Sequence, residues 1–366
     1  MRVLVAGSGA VGASTAWNLA RRGVDTLLVE RRDDVCAGAS RRAFGGVRQQ
    51  FDDDAEIALA RASLAFFTAL PDGLFDPVGY LYLATDDASE TSLRDRYETQ
   101  RRLGVVCVWL DREGVSKAAP GIRVDDVRGG LFGPEDGLAD PEAVTRHMIR
   151  RFVDAGGRVA VGTSIEDVAS PGDRIVVACG SETPEVLGNL SRRGFLARRE
   201  APPIRPLVRS LAETGPVAAD PRLPLVIEAC DGFHFRTRGD ALRLAMADSP
   251  PRWAGTCDPA PAPPDDFGRI PLERLMRRFP AASTTSLVRR WAGLYDVTPD
   301  ARPIIDRVAD DVWVAAGFSG HGFMTSPAVG AHLADWVAEG TRPSVFDGFV
   351  ADRWNGAPPN TWPTLL

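Results

Sequence analysis

The chain has 366 residues, of which 44% are hydrophobic and 25% are charged, so it can bury a substantial core and is not disordered. This length predicts two domains, or one nucleotide-binding domain that carries a second domain built from insertions. The formal net charge is −6 and the basic residues are spread along the chain, which excludes a nucleic-acid or anionic-membrane surface and favours a small-molecule partner.

The cysteines indicate neither a disulfide framework nor a metal site, because no two of them form a Cys-x-x-Cys pair. The five cysteines are Cys36, Cys107, Cys179, Cys230 and Cys257. Too few apolar residues precede the first glycine for a signal peptide, and no apolar run approaches the roughly 18 residues of a membrane span. We therefore expect a soluble cytoplasmic protein without a metal or a membrane partner.

Residues 2–30 carry the clearest local pattern, a strand–helix–strand unit. An apolar strand over Val3–Ala6 leads into a glycine turn, a helix that extends to Arg22 before Gly23, and a second strand over Thr26–Val29. The turn reads Gly-Ser-Gly-Ala-Val-Gly, which is the spacing of a dinucleotide-binding turn. The unit predicts a Rossmann-like sheet that binds a nucleotide.

Each glycine of that turn has a separate role in binding a nucleotide. Gly7 allows the tight turn, Gly9 lets the backbone approach a pyrophosphate, and Gly12 permits close packing of the helix on the strand. The helix N-terminus at Ala10 and Val11 faces the phosphate charge.

The second strand ends at Glu30, whose carboxylate can accept hydrogen bonds from ribose hydroxyls. Arg31 and Arg32 follow, but the Glu30 carboxylate would repel a 2′-phosphate. We therefore expect adenosine without that phosphate, in NAD or in FAD.

A second glycine- and arginine-rich stretch covers residues 38–50. An NAD dehydrogenase needs no further glycine-rich loop directly after its second strand. FAD is longer, and its ribityl chain and isoalloxazine ring need a further segment of the chain to bind them. The stretch therefore favours FAD. A flexible arginine-rich surface loop is the alternative interpretation.

Helices and strands alternate along the rest of the chain. Helices are predicted over 55–70, 141–152, 272–279 and 322–340, and strands over 79–85, 158–162, 174–178, 232–236, 242–246 and 312–316, with a strand and loop over 290–303. The prolines between 249 and 266 and near 358–363 predict irregular segments.

A third glycine motif, residues 317–324, lies between the last predicted strand and the last helix. Glycines there expose backbone N–H groups at a helix start, and this positive end can stabilise the negative charge on a reduced flavin. His321 lies within the motif, although by itself it is better explained as a hydrogen-bonded loop histidine.

Together these motifs resemble those of the D-amino-acid-oxidase-type flavoproteins, in particular the glycine and sarcosine oxidase branch. Further matching stretches are Pro134–Pro141, Val176–Gly180 and Trp291–Asp300, in the family's order over nearly the whole chain. The resemblance implies FAD as the cofactor. The cofactor-binding residues that it implies are Gly7, Gly9, Ala10, Val11, Gly12, Glu30, Arg31, Ser40, Gly45, Gly46, Val47, Gly180, Gly293, Gly320, His321, Gly322, Phe323 and Met324.

The resemblance also implies an α/β fold with two domains. The first is a Rossmann-like FAD-binding domain over 1–78, 139–196 and 291–366. The second is an α+β, mainly antiparallel substrate-binding domain formed by insertions over 79–138 and 197–290. We expect a monomer or a homodimer.

Four positions depart from the family pattern. Gly293 stands where sarcosine oxidases attach flavin through a cysteine, so the FAD is expected to be non-covalent. Met324 and Phe51 stand where those enzymes hold the substrate carboxylate with a lysine and an arginine, and Tyr295 stands where glycine oxidases use an arginine. We therefore expect a more apolar pocket for a bulky N-substituted glycine or another secondary amine.

Five residues are candidates for the catalytic site. They are Arg48, Tyr295, Arg243, His234 and Met324. Arg48 matches the motif residue over the flavin, whereas His234, Arg236 and Arg243 lie on predicted strands and either contact a carboxylate or are exposed charges. Arg243 also aligns with the lysine that activates oxygen in sarcosine oxidase.

The implied reaction is oxidation of a C–N bond by hydride transfer to the flavin, followed by hydrolysis of the imine. Because an amine must lose a proton before the transfer, activity is expected to rise with pH. O2 is the expected acceptor. The alternatives are a dehydrogenase with another acceptor, a flavin-binding subunit without turnover, and an NAD(P) dehydrogenase.

Overall fold

The computed structural model describes residues 1–197, 202–255, 262–354 and 362–363. The strands are, in chain order, β1 (Arg2–Ala6), β2 (Asp25–Val29), β3 (Gly46–Val47), β4 (Phe75–Asp76), β5 (Tyr80–Ala84), β6 (Val108–Leu110), β7 (Gly129–Gly133), β8 (Gly137–Ala139), β9 (Arg158–Ala160), β10 (Arg174–Val177), β11 (Arg205–Thr214), β12 (Leu225–Glu228), β13 (His234–Arg238), β14 (Ala241–Ala245), β15 (Leu287–Val297), β16 (Ile304–Ala309) and β17 (Val312–Ala316). The α-helices are α1 (Ala10–Ala20), α2 (Ala39–Arg42), α3 (Asp54–Thr68), α4 (Asp87–Arg102), α5 (Arg112–Ala118), α6 (Pro141–Asp154), α7 (Ile165–Val168), α8 (Thr183–Arg192), α9 (Arg269–Arg278) and α10 (Gly322–Glu339). Short 3-10 helices cover Gly180–Glu182, Pro280–Ala282 and Ser344–Phe349.

A six-stranded sheet has the order β16-β17-β10-β1-β2-β9 and is parallel except for the β16–β17 pair. Its central strand β1 buries Val3, Leu4 and Val5 completely, as expected for a strand covered on both faces. Helix α1 packs on α6 and α10, and this layer forms one large core with the sheet. The carboxyl ends of β1, β2, β10 and β17 therefore meet at one edge.

An eight-stranded sheet has the order β15-β11-β14-β13-β12-β5-β7-β6. Its pairs are antiparallel except for β12 and β5, which run in parallel. Phe235, Leu242 and Leu244 face an apolar core on one side. Because side chains alternate along a strand, His234 and Arg243 project from the opposite face.

A small sheet joins the second glycine-rich stretch to the rest of the fold. Strand β8 pairs with both β3 and β4. Gly45 has φ +90, and a Cβ there would lie 2.2 Å from the backbone oxygen of Ala139. Only a glycine therefore lets this stretch pass so close to β8.

The structure differs from the sequence expectations in a few places. Strand β13 begins at His234 and not at 232, because Gly232 adopts φ +72 in the preceding turn. Within the proline-rich segment, Trp253 pairs with Leu207 in an isolated bridge. Residues 256–261 of that segment, and 355–361 of the predicted irregular end, lie outside the described residues. The expected domain boundary at 291 runs through β15, and the division remains a prediction.

Candidate functional site

A cavity of about 290 Å³ extends from the carboxyl edge of the parallel sheet to the face of the eight-stranded sheet. This edge is where open α/β sheets bind ligands. Predicted site residues in the cavity wall are Gly7, Gly9, Ala10, Val11, Glu30, Arg31, Ser40, Gly180, His234, Gly293, Tyr295, Gly320, Gly322 and Phe323. The cavity thus brings together residues from all three glycine motifs and from the second sheet.

The first glycine turn has the geometry that the sequence predicts. Gly7 has φ +96, and a Cβ at Gly12 would lie 1.9 Å from the Gly7 oxygen, so both positions require glycine. The Ser40 hydroxyl accepts a hydrogen bond from the Ala10 N–H at 3.0 Å. This bond joins the second glycine-rich stretch to the N-terminus of α1, where N–H groups and the helix dipole favour an anion.

Glu30 is buried in the cavity wall and organises the adjacent loop. Its carboxylate accepts hydrogen bonds from the Ser8 N–H at 3.2 Å and from the Ser8 hydroxyl at 2.6 Å. The Arg32 N–H donates to its other oxygen at 3.0 Å. Arg31 forms an ion pair with Glu182 at 3.0 Å, so its charge is compensated by a carboxylate of the same cavity.

Asp296 is a half-buried acid of the cavity wall. It was not predicted from the sequence, although it lies next to Tyr295 in a stretch that matches the family. Its carboxylate accepts a hydrogen bond from the Gly317 N–H at 2.7 Å, and its backbone oxygen accepts one from Ser319. Burial raises the pKa of Asp296 to about 6. The residue fixes the third glycine motif to β15.

Arg209 is a second cavity residue that the sequence reasoning missed. It lies opposite Gly293 in the β11–β15 pair, and its guanidinium carbon is 5.3 Å from the Tyr295 ring centre. Its strand position offered no motif signal. His234 is nearby, and burial together with the Arg209 charge lowers the pKa of His234 to about 4, so this ring is neutral at pH 7.

Several predicted site residues lie outside the cavity wall. They are Gly12, Gly45, Gly46, Val47, Arg48, Arg243, His321 and Met324. Arg243 instead forms an ion pair with Glu213 at 2.8 Å, and Met324 is buried in the core of the parallel-sheet layer. Phe51 is also in that core.

Arg48 and His321 form a separate cluster with Phe51 and Glu56. The Arg48 guanidinium lies 4.0 Å from the Phe51 ring centre, and its Nη2 is 3.2 Å from His321 Nε2. His321 Nδ1 is 3.6 Å from Glu56 Oε1. Glu56, in the first turn of α3, was not predicted, because an acid there is also a common helix-start residue.

The described residues also bring Glu228, Cys230 and Asp231 within 4.8 Å of one another. Arg274 contacts both carboxylates and Arg278 also binds Glu228, so these acids already have cationic partners. This cluster gives no reason to assign a metal.

The cavity residues fit an FAD molecule. A helix N-terminus and bare glycine backbone offer donors to a pyrophosphate, while the Glu30 carboxylate stands where it could accept hydrogen bonds from ribose hydroxyls. A Cβ at Gly180 would have 3.9 Å of clearance to its nearest neighbour, so the backbone there is open to a ligand. The cavity then continues to the second sheet, as the length of FAD requires.

The fold and the site together define a flavin-dependent oxidoreductase. A family model described as DAO, FAD dependent oxidoreductase, matches residues 2–336. The chain belongs to this family.

Two relatives match most of the chain. FAD-dependent oxidoreductase domain-containing protein 1 of Bos taurus is 25% identical, over 92% of this chain and 81% of that protein. Sarcosine oxidase subunit beta of Rhodobacter capsulatus is 23% identical, over 93% of this chain and 86% of that subunit.

Two solved structures have the same fold. L-proline dehydrogenase from P. horikoshii is 25% identical with a TM-score of 0.86, over 97% of each chain. Glycine oxidase from Geobacillus kaustophilus is 21% identical with a TM-score of 0.81, over 96% of this chain and 99% of that one.

These comparisons confirm the predicted family, the α/β fold class and FAD as the cofactor. The protein is an FAD-dependent oxidoreductase of the branch that contains sarcosine and glycine oxidases and dehydrogenases. None of the helices in the described part of the chain combines the length and apolar character that crossing a bilayer requires.

Proposed function

We propose that this protein oxidises the C–N bond of a secondary or N-substituted amino acid, with non-covalent FAD and O2 as the final acceptor. One observation carries the proposal. A single cavity joins the FAD-binding turn at Gly7–Val11 to the sheet face at His234 and Tyr295. A substrate at this face would therefore lie at the far end of the same cavity as the nucleotide turn.

The chain's own residues would place the substrate and orient its nitrogen. Bound FAD supplies a two-electron acceptor for the hydride. The His234 Nδ1 atom lies 2.7 Å from the Gly232 oxygen, so Nδ1 carries the proton that it donates and Nε2 keeps a lone pair. Because the pKa of His234 is about 4, Nε2 can accept a hydrogen bond from the substrate N–H and orient the nitrogen lone pair, while the ammonium proton is lost to solvent. Water hydrolyses the resulting imine.

The cavity wall near His234 favours an apolar arm on the substrate. Phe44, Leu294 and Met246 line this part, together with Tyr295. Phe51 and Met324, which led us to expect an apolar pocket, lie outside the wall. The preference for a bulky N-substituted glycine therefore rests on the three apolar side chains that do line it.

Gly293 supports non-covalent attachment, because glycine has no side chain that could bond to a flavin. We expect acid precipitation of the purified protein to leave yellow FAD in the supernatant. Anaerobic addition of bulky N-carboxymethyl amino acids should then bleach the bound FAD faster than glycine, sarcosine or proline does. Colour retained in the pellet would contradict non-covalent binding, and a flavin that no amine reduces would contradict the reaction.

A dehydrogenase with another electron acceptor is the second candidate. Arg243, where the resemblance places the oxygen-activating lysine, is paired with Glu213, so its positive charge is compensated. The likeness to L-proline dehydrogenase from P. horikoshii points the same way. Mixing the reduced protein with air distinguishes the two, because an oxidase regains its yellow colour rapidly and a dehydrogenase does so only with an added quinone or other acceptor.

A further inference from the structure

Arg236 is a buried guanidinium with too few acceptors. Its side chain is on β13 and only 3% exposed. Nη1 donates to the Thr237 backbone oxygen at 3.1 Å, whereas Nε and Nη2 have no hydrogen-bond partner in the described part of the chain. Burying a charged group without partners costs free energy. A fold that retains such a group therefore suggests that a ligand supplies the missing partner.

The neighbouring arginines on the same face do have partners. Arg238 binds Asp140 at 2.8 Å, and Arg243 binds Glu213 at 2.8 Å. The patch thus holds three guanidinium groups and two carboxylates, and Arg236 is the unpaired member. One further carboxylate would balance it.

The two nitrogens without partners, Nε and Nη2, form one edge of the guanidinium. Other arginines of this molecule bind carboxylates through the same edge. Arg96 donates from Nε and Nη2 to the two oxygens of Asp52 at 2.7 and 2.9 Å. Arg353 binds Asp300 in the same way at 2.7 and 2.8 Å. Such paired bonds match the planar fork of arginine to a carboxylate. The unpaired edge of Arg236 has the shape of a carboxylate site.

Phe44 lies beside both the cavity and the Arg236 guanidinium. Its ring lines the cavity wall, packs on His234 with the ring centres 4.7 Å apart, and lies 5.3 Å from the Arg236 guanidinium carbon. His234 and Arg236 are two residues apart on one strand, about 7 Å. This separation suits an amino acid whose nitrogen is near His234 and whose carboxylate extends toward Arg236.

We propose that Arg236 binds the carboxylate of the amino-acid substrate through Nε and Nη2 when the Phe44 ring turns aside. This inference rests on the proposed function for the identity of the ligand. Arg236 replaces the carboxylate contacts that Tyr295, Phe51 and Met324 do not supply. It determines specificity for acids over neutral amines.

Methoxyacetate is a suitable probe, since it carries the carboxylate without an oxidisable amine. Its binding to the FAD-loaded protein is followed by the change in the visible flavin spectrum. We expect Arg236→Met to weaken binding by about thirtyfold and Arg236→Lys to weaken it less, because lysine keeps the charge but loses the fork. The matched control Arg238→Met, on the same strand and face, should bind methoxyacetate as the wild type does.

Unchanged methoxyacetate binding in Arg236→Met would overturn the inference, and so would an equal loss of binding in Arg238→Met. A loss of FAD affinity in Arg236→Met would also overturn it, because the partner of Arg236 would then be an anion of the cofactor. Misfolding is checked by urea unfolding, where Arg236→Met should be at least as stable as the wild type because it removes a buried unpaired charge.

The inference and the proposed function fail in different ways. If amines reduce the flavin with the same KM in Arg236→Met and wild type, the inference is wrong and the function stands. If methoxyacetate binding depends on Arg236 but no amine reduces the flavin, the function is wrong and the carboxylate site stands.

Discussion

Nη2 of Arg48 lies 3.2 Å from Nε2 of His321. A guanidinium only donates, so Nε2 must hold a lone pair and the ring proton must be on Nδ1, 3.6 Å from Glu56. Burial lowers the pKa of His321 and favours this neutral form. The contact between the two glycine motifs therefore depends on a neutral histidine.

Acidification should destabilise the protein through its half-buried histidines. Burial also lowers the pKa of His234, from 6.5 to about 4. The unfolded chain therefore takes up a proton first, and stability is lost as the pH falls from about 6.5 toward 4, by up to about 3 kcal/mol for His234. Urea unfolding of His234→Gln should show a smaller loss of stability over this pH range than the wild type shows. Parallel profiles for His234→Gln and wild type would contradict this prediction.

Asp136 should contribute with the opposite sign. Its buried carboxylate accepts hydrogen bonds from the Gln49 N–H at 2.8 Å and from Gln50 Nε2 at 2.9 Å. Burial raises its pKa to about 6, so the folded state binds the proton more tightly and stability is lost as the pH rises from about 4 to about 6.

Asp136→Asn should therefore gain stability relative to the wild type above pH 6, by roughly 1–2 kcal/mol. The asparagine oxygen can still accept from Gln49, and the Gln50 amide can turn its unpaired oxygen toward the new NH2 group, at the cost of its 3.3 Å hydrogen bond to the Tyr80 backbone oxygen. Unfolding free energies at pH 4.5 and 7.5 measure the effect. A difference between the two proteins that is the same at both pH values would show that the charge is not responsible.

Gly12→Ala should impair both folding and FAD binding. The added Cβ would lie 1.9 Å from the Gly7 backbone oxygen, so either α1 or the turn must shift, at about 1–3 kcal/mol or more. Gly23→Ala is the control, because a Cβ there meets nothing within 4 Å and only the strain of φ +75 remains, about 1–2 kcal/mol. Urea unfolding and FAD content after gel filtration report the outcome. Equal FAD content in the two variants would argue against a role of Gly12 in shaping the phosphate turn.

Short-range signals determined what the sequence could predict. The strand, turn and helix of the first unit lie within 30 residues, and the Gly7 and Gly12 contacts follow from glycine chemistry at fixed spacing. The structure forms β1 and α1 at the expected places and puts Glu30 in the cavity wall.

The remaining site residues depend on pairings between distant segments. Arg209 reaches the cavity because β11 pairs with β15, about 80 residues later, and Arg236 loses its water because the stretch around Gly45 packs on β13. Neither the strand pairing nor this packing contact can be recognised in the local sequence. The ion pair of Arg243 with Glu213 on the neighbouring strand could not be predicted for the same reason, because it depends on the pairing of β14 with β11.

The contact between Gly46 and Tyr80 provides a test of how the second glycine stretch is held against the eight-stranded sheet. A Cβ at Gly46 would lie 1.7 Å from the Tyr80 hydroxyl oxygen and 2.7 Å from its ring carbon. Gly46→Ala should therefore destabilise the protein by about 2–3 kcal/mol, because Tyr80 is buried and its ring has little room to move.

The double variant Gly46→Ala/Tyr80→Ala should then lose less stability than the sum of the two single losses, since removal of the ring also removes the clash. Gly38→Ala is the control in the same stretch, because a Cβ there meets nothing within 4 Å and only the strain of its backbone at φ −83 and ψ −143 remains. Urea unfolding of the four variants and the wild type gives the coupling energy, which should favour the double variant by about 1–2 kcal/mol. Strictly additive losses would mean that the loss in Gly46→Ala does not come from the Tyr80 ring, and that the position of this stretch over the sheet is set by β3 and β8 alone.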